Sequence, residues 1–379
     1  MKFIHLSDLH LGKRVNEFSM IEDQQYILNQ IVEIAAREKP NGVFIAGDVY
    51  DKSVPPTEAV QLFDDFLVRL AEQSLPVFII SGNHDSAERV AFGSRLMTSS
   101  GVYLSPVYDG SVKPVTLEDA YGKADIYLLP FLKPAHVRRF FPDEEIDSYT
   151  DAMNVAIDHL DLDPGRRNVL ITHQFVTGAV RSESEEISVG GADNVDASVF
   201  DAFDYVALGH LHKAQSVTRE TIRYCGTPLK YSLSEASHEK SVTIVNLAAK
   251  GQVSVETLPL VPLRDMHQIK GTYEEVTLKR FYEGTDYQES YMHITLTDEE
   301  DILDVIGKLR AIYPNLMKLD FDNERNCANG KSEGMDRTEQ KSPIELFSEL
   351  YEKQNNQPMS DVQQHFLEEL MDSIWEEKR

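Results

Sequence analysis

Short, unbroken apolar runs alternate with helical patterns through the first half of this 379-residue chain. Runs of this length, rich in β-branched residues, are typical of strands that are buried on both faces of a sheet. The six runs are FIHLS (3–7), GVFIAGD (42–48), VFIISG (77–82), IYLLPF (126–131), VLITHQ (169–174) and YVALGH (205–210). Strands buried on both faces need a layer of structure on each side, so the chain must fold in layers.

Helical spacing of apolar residues separates the first three runs. The recurring positions are Ile27, Ile31, Ile34 and Ala35 after the first run and Val60, Phe63, Leu67 and Leu70 after the second. Thr57 stands where the second helix is expected to have its N-cap. Strands that alternate with helices predict an α/β fold. Residues 214–260 predict strands alone, and SVTIVNL (241–247) is the clearest of them.

A second, smaller unit follows the first and begins at Pro262. Its predicted elements are the strand YMHITLT (291–297), the helix DILDVIGKLRAIY (301–313) and the strand LMKLDF (316–321). About sixty residues of α+β structure are few for an independent enzyme. We therefore predict a first domain over 1–261 and a capping domain over 262–321.

The C-terminal part predicts a linker and a pair of helices. Residues 322–341 carry almost no large apolar side chain, which indicates a flexible linker. Capping boxes at Ser342 and Ser360 begin two helices over 342–379. The second helix has one apolar stripe, formed by Val362, Phe366, Leu367, Leu370, Met371, Ile374 and Trp375. A tethered stripe favours binding to a partner, and a hairpin packed on its own domain is the alternative.

Five short motifs, each at the carboxyl end of a predicted strand, form the candidate site. They are Asp8-Leu9-His10, Gly47-Asp48-Val49-Tyr50-Asp51, Gly82-Asn83-His84-Asp85, Thr172-His173-Gln174 and Gly209-His210-Leu211-His212. Open α/β sheets build their sites at this edge, because the loops converge there. A lone Asp or His at a strand end is commonly a loop cap, so the prediction depends on the five motifs together.

The motifs supply carboxylate, amide and imidazole groups and no thiolate, a set that suits Mn²⁺, Fe²⁺ or Zn²⁺ better than Ca²⁺ or Mg²⁺ alone. The predicted metal ligands are Asp8, His10, Asp48, Asn83, His173, His210 and His212. They are too many for one ion and suit two, with Asp48 placed to bridge them. Two ions activate a water and hold both oxygens of a phosphodiester that is being cleaved. His84 is then free to give a proton to the leaving oxygen, and Asp85 to orient it.

The motifs resemble the signature of the calcineurin-like metallophosphoesterases. A more specific similarity lies around them: SDLHLGK, GDVYDKSVPP and YCGTPLKYSLSE resemble the SbcD family of bacterial exonuclease subunits. The resemblance covers nearly the whole chain, including the cap and SPIELFSELY near the end. It implies a four-layered α/β/β/α sandwich with a small α+β capping domain and a C-terminal helical pair.

The resemblance also implies a metal-dependent DNA exonuclease and hairpin endonuclease that uses two Mn²⁺ ions. By that analogy one ion is held by Asp8, His10, Asp48 and His212, and the other by Asp48, Asn83, His173 and His210. His84 is the implied catalytic histidine. Archaeal and eukaryotic relatives often carry a second catalytic histidine where this chain has Asp51, so Asp51 and Asp85 are the remaining catalytic candidates.

Partners follow from the same resemblance. It implies a homodimer that joins the SMC-like ATPase SbcC in a heterotetramer, grips its coiled coil through residues 342–379, and processes DNA ends and hairpins in repair and recombination. The net charge of −26 argues against DNA binding, because DNA-binding proteins present a basic face. An ATPase that supplies much of the DNA contact removes this objection. Local basic groups are DNA contacts or ordinary surface: Lys13, Arg14, Lys133, Arg138 and Arg139.

Composition predicts a cytoplasmic, nucleoid-associated protein. Cys225 and Cys327 form no disulfide framework, and the first residues contain no apolar signal segment. No stretch approaches the roughly 20 apolar residues of a membrane span. Two other functions would keep the site: a phosphoesterase acting on nucleotides, cyclic nucleotides or phosphoproteins, and a scaffold that bridges two ATPases. The first has no use for the cap and helix pair, and the second would work without metal.

Overall fold

The computed structural model describes residues 1–180, 193–300 and 302–323, together with Ser360, Gln363, Gln364 and Leu367. The strands are β1 (Lys2–Leu6), β2 (Arg14–Val15), β3 (Phe18–Ser19), β4 (Gly42–Ala46), β5 (Val77–Ile80), β6 (Val102–Leu104), β7 (Val115–Asp119), β8 (Gly122–Leu128), β9 (Arg167–His173), β10 (Phe175–Val176), β11 (Asn194–Val195), β12 (Tyr205–Gly209), β13 (Gln215–Val217), β14 (Arg219–Tyr224), β15 (Ser241–Leu247), β16 (Val253–Pro259), β17 (Met266–Gly271), β18 (Tyr291–Leu296) and β19 (Leu316–Phe321). The helices are α1 (Ile21–Glu38), α2 (Thr57–Glu72), α3 (Ala87–Val90), α4 (Ser94–Met97), α5 (Pro134–Arg138), α6 (Tyr149–Asp158), α7 (Tyr273–Thr277), α8 (Lys279–Tyr282) and α9 (Val305–Arg310).

The first six-stranded sheet has the order β16-β15-β1-β4-β5-β6. Its strands β1, β4, β5 and β6 are parallel, with Ile4 opposite Val43 and Phe44 opposite Phe78. Strands β15 and β16 extend it antiparallel on the other side of β1. Parallel neighbours need a crossover connection, which α1 and α2 supply. Both helices predicted from apolar spacing are therefore confirmed.

The second six-stranded sheet has the order β13-β14-β12-β9-β8-β7. Strands β8, β9, β12 and β14 are parallel, and the edge strands β7 and β13 are antiparallel to their neighbours. All six apolar runs predicted as strands are strands, and each sheet contains three of them. The long antiparallel strand predicted over 241–247 is confirmed as β15.

Buried apolar side chains of the described residues form three clusters that separate four layers. The middle cluster joins Phe44 of the first sheet to Ile126 of the second, so the two sheets pack face to face. The outer clusters pack Ile27 and Leu62 of α1 and α2 on the first sheet and Met153 of α6 on the second. The order is helix, sheet, sheet, helix. The four-layered α/β/β/α fold is confirmed.

Helix α2 begins differently from the prediction. Pro56, with an extended backbone, occupies the N-cap position, and Thr57 is the first helical residue. The prediction of Thr57 as N-cap was wrong because the change from extended to helical backbone falls one residue earlier. Val60 is exposed, while Leu62 and Phe66 lie on the buried face that was predicted to include it.

Beyond the first domain, three strands form a sheet in the order β17-β18-β19. The strands predicted over 291–297 and 316–321 are confirmed as β18 and β19. The helix predicted over 301–313 is wrong in length, since only α9 is helical there. Asp304 adopts a left-handed backbone with φ 51°, a conformation that a right-handed helix cannot contain.

The described chain divides into two compact units. The first unit comprises Met1–Ile269, Thr277–Ile294 and Asp304–Leu319, and the second comprises Lys270–Val276, Thr295–Leu303 and the described residues from Asp320 onward. Within the second unit, backbone N–H groups of Thr297 and Asp322 donate to the carbonyls of Gly271 and Leu296 at 3.1 and 2.8 Å. The domain boundaries predicted from the sequence stay predictions.

The predicted linker and helix pair lie outside the described residues, apart from residues 322, 323, 360, 363, 364 and 367. The N–H of Ser360 donates to Oε1 of Gln363 at 2.9 Å, as the predicted Ser-x-x-Gln capping box requires. In the part of the chain that the structure describes, no helix combines the length and the apolar character needed to cross a membrane.

Candidate metal centre

The five sequence motifs meet at one edge of the two packed sheets. Strands β1, β4 and β5 of the first sheet and β9 and β12 of the second each end at, or within three residues of, one motif. Because these strands are parallel within each sheet, their carboxyl ends lie along one edge. Contacts across the sheets confirm the meeting: Asp8 accepts the N–H of His210 at 3.0 Å, although 202 positions separate them.

Four predicted ligands have a left-handed backbone. The φ angle is 53° at Asp8, 43° at His10, 49° at Asp48 and 107° at His210. Such a conformation costs about 1–3 kcal/mol for residues other than glycine and persists only where the surroundings impose it. Its concentration directly after the strand ends shows that the packed sheets hold these side chains in place, as a preorganised site requires.

Four donor groups converge around Asn83. Its Oδ1 lies 2.9 Å from Nε2 of His173 and 3.0 Å from Nδ1 of His210. Oδ2 of Asp48 lies 3.3 Å from the same His173 nitrogen. The other ring nitrogen of His173, Nδ1, bonds the Ala46 carbonyl at 2.8 Å, which leaves Nε2 to face the oxygens. Oxygen and nitrogen lone pairs directed at one point form a cation site.

His10 brings a further imidazole to Asp48. Its Nε2 lies 3.8 Å from Asp48 Oδ2 and its Nδ1 lies 3.9 Å from Asp51 Oδ1, both too long for hydrogen bonds. The His10 side chain is 1% exposed, and neither ring nitrogen has a hydrogen-bond partner among the described residues. A buried imidazole without a partner is costly. Coordination to a metal ion would satisfy it.

The donor atoms fit two divalent ions. In the described part of the chain, two groups of three side chains have ligand atoms within 4.8 Å of one another: His10, Asp48 and His84, and Asp8, Asp48 and His173. Asp48 belongs to both groups, as a bridging carboxylate should. The grouping departs from the predicted assignment in two respects, since Asp8 lies with His173 and His84 lies among ligand atoms. Carboxylate, amide and imidazole donors in this arrangement suit divalent metal.

His84 is held by two backbone contacts. Its N–H donates to Asp48 Oδ1 at 2.9 Å, and its ring Nδ1 lies 3.1 Å from the Asp51 carbonyl oxygen. A carbonyl can only accept, so Nδ1 carries the hydrogen and Nε2 is the nitrogen left for chemistry. The Asp51 side chain accepts a hydrogen bond from Lys13 at 2.7 Å, which neutralises its charge. Asp51 therefore reaches the His84 ring through its backbone.

The Asp85 carboxylate joins the second and third motifs. It accepts the N–H groups of Val49, Tyr50 and Gly82 at 3.1, 3.0 and 2.9 Å. Burial and the charge of Asp48 raise the pKa of Asp85 to about 6. The structure thus places Asp85 against backbone amides, while the contact to the His84 ring comes from Asp51.

Two supporting residues were missed by sequence reasoning. The His212 ring lies 2.9 Å through Nδ1 from Oε1 of Glu235, which is fully buried. The Ser7 hydroxyl donates to the Asp8 carboxylate. Both residues stand inside segments already noticed for their similarity, SDLHLGK and YCGTPLKYSLSE. No spacing rule distinguishes them from their neighbours there.

Comparison with known proteins agrees with this geometry. The family profile described as Calcineurin-like phosphoesterase matches residues 1–214. The chain belongs to the calcineurin-like phosphoesterase family. The profile described as Type 5 capsule protein repressor C-terminal domain, SbcD_C, matches residues 262–355 of this phosphoesterase.

Two curated relatives, both named as the SbcD component of the nuclease SbcCD, resemble the phosphoesterase over its full length. The protein from Staphylococcus epidermidis is 32% identical and covers 99% of each chain. The protein from Staphylococcus saprophyticus subsp. saprophyticus is 33% identical and covers 100% of this chain and 99% of its own. Membership of the SbcD family, predicted from the motifs, is confirmed. A solved dimetal phosphatase from Danio rerio is 12% identical, with a TM-score of 0.40 over 69% of this chain and 96% of that chain.

Carboxylates and imidazoles shift each other's pKa in this phosphoesterase site. Burial raises the pKa of Asp8 to about 6. Burial acts on Asp48 in the same direction, but the imidazoles of His173 and His10 outweigh it and hold the pKa of Asp48 well below its usual range. Burial disfavours a charged His173, yet Asp48 prevails and raises the pKa of His173 to about 9. Asp48 is therefore an anion at neutral pH.

Gly82 lets the third motif approach the second. A Cβ at this position would lie 2.1 Å from Asp48 Oδ1 and 2.4 Å from the Asp48 amide nitrogen. We expect Gly82→Ala to displace Asp48, weaken metal binding and lower the free energy of unfolding by about 1–3 kcal/mol, as overpacking does. Denaturant unfolding of the metal-free protein and calorimetric titration with Mn²⁺ measure the two effects.

Gly165→Ala is the matched control for this substitution. A Cβ at Gly165 would meet only the side chain of Asp163, at 3.2 Å, on an exposed turn. We expect a change in stability within about 0.5 kcal/mol and unchanged Mn²⁺ affinity. Native Mn²⁺ affinity in Gly82→Ala would contradict the close approach.

Proposed function

We propose that this chain is the nuclease subunit of an SbcCD-type complex, a metal-dependent hydrolase that cleaves DNA phosphodiester bonds with two divalent ions. The observation that carries the proposal is that Asp48 belongs to two groups of ligand atoms. A carboxylate common to two ligand groups is what a two-metal phosphodiesterase requires. Two full-length relatives with the nuclease name support the substrate.

The proposed ions are Mn²⁺, which accepts this mixture of oxygen and nitrogen donors. We assign one ion to Asp8, His10, Asp48 and His212, and the other to Asp48, Asn83, His173 and His210. When bound, two such ions stabilise charge on the phosphoryl oxygens and lower the pKa of a water. The chain contributes preorganisation, because strained turns at the ends of rigid strands hold the donor groups before metal or substrate arrives.

The proposed proton donor is His84. Its Nδ1 is bound to the Asp51 carbonyl, so the ring presents Nε2, the nitrogen that gives a proton to the leaving oxygen. The Asp51 carboxylate is neutralised by Lys13 and leaves His84 in place through the backbone alone. We propose that Asp85 acts one step further away, by holding together the two loops that carry Asp48 and His84.

The proposed domain organisation keeps the predicted boundaries: a nuclease domain over 1–261, a cap over 262–321, a linker over 322–341 and a coiled-coil-binding helix pair over 342–379. The family match that begins at residue 262 supports the first boundary. The proposed partners are an SMC-like ATPase of the SbcC type and DNA with double-strand ends or hairpins, and the proposed location is the cytoplasm, at the nucleoid. The relatives' name, which includes the SbcCD complex, supports the ATPase.

Exposed apolar side chains support a homodimer. Phe92 and Leu96 follow the third motif and are 84% and 80% exposed. Large apolar groups left in water mark interaction surfaces when they occur close together. We propose that a second copy of the chain covers them.

Replacing both residues tests the dimer. We expect Phe92→Ser/Leu96→Ser to give half the native mass in size-exclusion chromatography with light scattering. The metal content should not change, since neither side chain belongs to a ligand group. Leu303→Ser, at another strongly exposed leucine, is the control and should leave the mass unchanged. A double variant that remains dimeric would overturn this interface.

The function itself is tested with hairpin and blunt duplex DNA. Purified chain plus Mn²⁺ should cleave both, and the ATPase should increase cleavage of duplex ends. Chelation with EDTA should abolish cleavage and added Mn²⁺ should restore it. Cleavage that survives removal of the metal would refute the two-metal proposal, and activity confined to nucleotides or aryl phosphodiesters would refute the DNA substrate.

A further inference from the structure

A buried ion pair adjoins His212, one of the proposed metal ligands. Nδ1 of His212 lies 2.9 Å from Oε1 of Glu235, and Nζ of Lys240 donates to Oε2 of the same carboxylate at 2.6 Å. Glu235 is 0% exposed and Lys240 8% exposed. The proposed reaction gives neither residue a role.

Lys240 also fixes the backbone of His212. Its Nζ donates to the His212 carbonyl at 3.0 Å and to the Thr227 hydroxyl at 2.6 Å. The N–H of Thr227 donates to that carbonyl as well, at 3.2 Å. One network of hydrogen bonds therefore holds both the ring and the main chain of His212.

The partner of His212 decides its tautomer. Burial opposes ionisation of Glu235, but the hydrogen bond from His212 and the charge of Lys240 outweigh it and hold the pKa of Glu235 well below its usual range. An ionised carboxylate only accepts, so Nδ1 of His212 carries the hydrogen and Nε2 keeps its lone pair. An anionic acceptor behind an imidazole also makes that lone pair a stronger donor to metal.

Stability alone does not explain the ion pair. A buried ion pair contributes little to folding compared with apolar side chains of the same size, because both charges lose their hydration. A lone carboxylate at this depth would be costlier still. Lys240 cancels the charge of Glu235, so His212 gains an anionic acceptor without net buried charge.

We infer that Glu235 and Lys240 are positioning residues, which hold His212 in the ring orientation and tautomer that bind its metal ion. The inference rests on the proposed two-metal site. It concerns one ion in particular, because the contacts of Glu235 and Lys240 go to His212 among the proposed ligands.

The test is Glu235→Gln/Lys240→Met in the full-length chain. The double change removes both charges at nearly constant volume and leaves no unpaired lysine, which Glu235→Gln alone would bury. Calorimetric titration with Mn²⁺ should show one of the two Kd values raised about 10–100-fold, the usual effect of losing a residue behind a ligand. Cleavage lost at limiting Mn²⁺ should return at saturating Mn²⁺.

Lys230→Met provides the matched control in the same segment. Lys230 donates to the Asp265 carboxylate and to the Ala236 carbonyl, both at 2.6 Å, so its loss should leave both Mn²⁺ affinities unchanged. Two native Kd values in the double variant, with a lower melting temperature, would overturn the inference and make the pair purely structural. A wild-type chain that binds fewer than two Mn²⁺ ions would instead refute the proposed function.

Discussion

Replacing Asp48 with asparagine should abolish DNA cleavage and release more than one equivalent of bound metal. Asp48 Oδ2 lies 3.3 Å from His173 and 3.8 Å from His10, and Oδ1 accepts the N–H of His84 at 2.9 Å. Asparagine keeps the size of the side chain but removes its charge and one acceptor oxygen. Losing charge stabilisation from both ions removes several kcal/mol from the transition state, or more than about 10³-fold in rate.

Asp125→Asn is the control for loss of a buried carboxylate. Asp125 is also buried, and its oxygens accept hydrogen bonds from Thr116 and Arg166, away from the ligand groups. That variant should retain both ions and full activity. Metal content is measured by elemental analysis after dialysis, and cleavage with a hairpin substrate. Two ions bound to Asp48→Asn at native affinity would rule out the bridge.

The positions of the ligands along the strands could be predicted from the sequence, whereas their meeting across the sheets could not. An unbroken apolar run has to be a buried strand, and the polar residue after it has to lie at a strand end. Asp8 follows β1 and His210 follows β12 in this way. Their hydrogen bond depends on the packing of one sheet on the other, which no local pattern encodes.

The less predictable residues depend on side-chain direction. Asp85 follows His84 directly, which suggested that it orients the ring, but its carboxylate reaches three backbone amides. Glu235 stands 23 positions after His212 on a short turn, a separation that carries no periodic signal. The helix predicted over 301–313 had the right apolar spacing, yet the backbone of Asp304 confines it to six residues. Local spacing describes faces of elements well and contacts between loops poorly.

The role of His84 separates two forms of this site. We expect His84→Gln to lower the rate of DNA cleavage by about 10²–10⁴-fold, the usual contribution of a proton donor, while both ions remain bound. The glutamine amide can donate to the Asp51 carbonyl in place of the ring, and the backbone N–H to Asp48 is untouched. The loops should therefore keep their positions, and the loss should be chemical.

The leaving group distinguishes a proton donor from a metal ligand. A nitrophenolate leaves without a proton, whereas the sugar alkoxide of DNA needs one, so His84→Gln should slow cleavage of an aryl phosphodiester far less than cleavage of DNA. His159→Gln, at an exposed histidine bonded to the Val155 carbonyl, should change neither rate. Because His84 groups with His10 and Asp48 at ligand distances, the rival role is concrete. Loss of one metal equivalent, with equal loss of rate on both substrates, would make His84 a ligand and leave the reaction without its proposed acid.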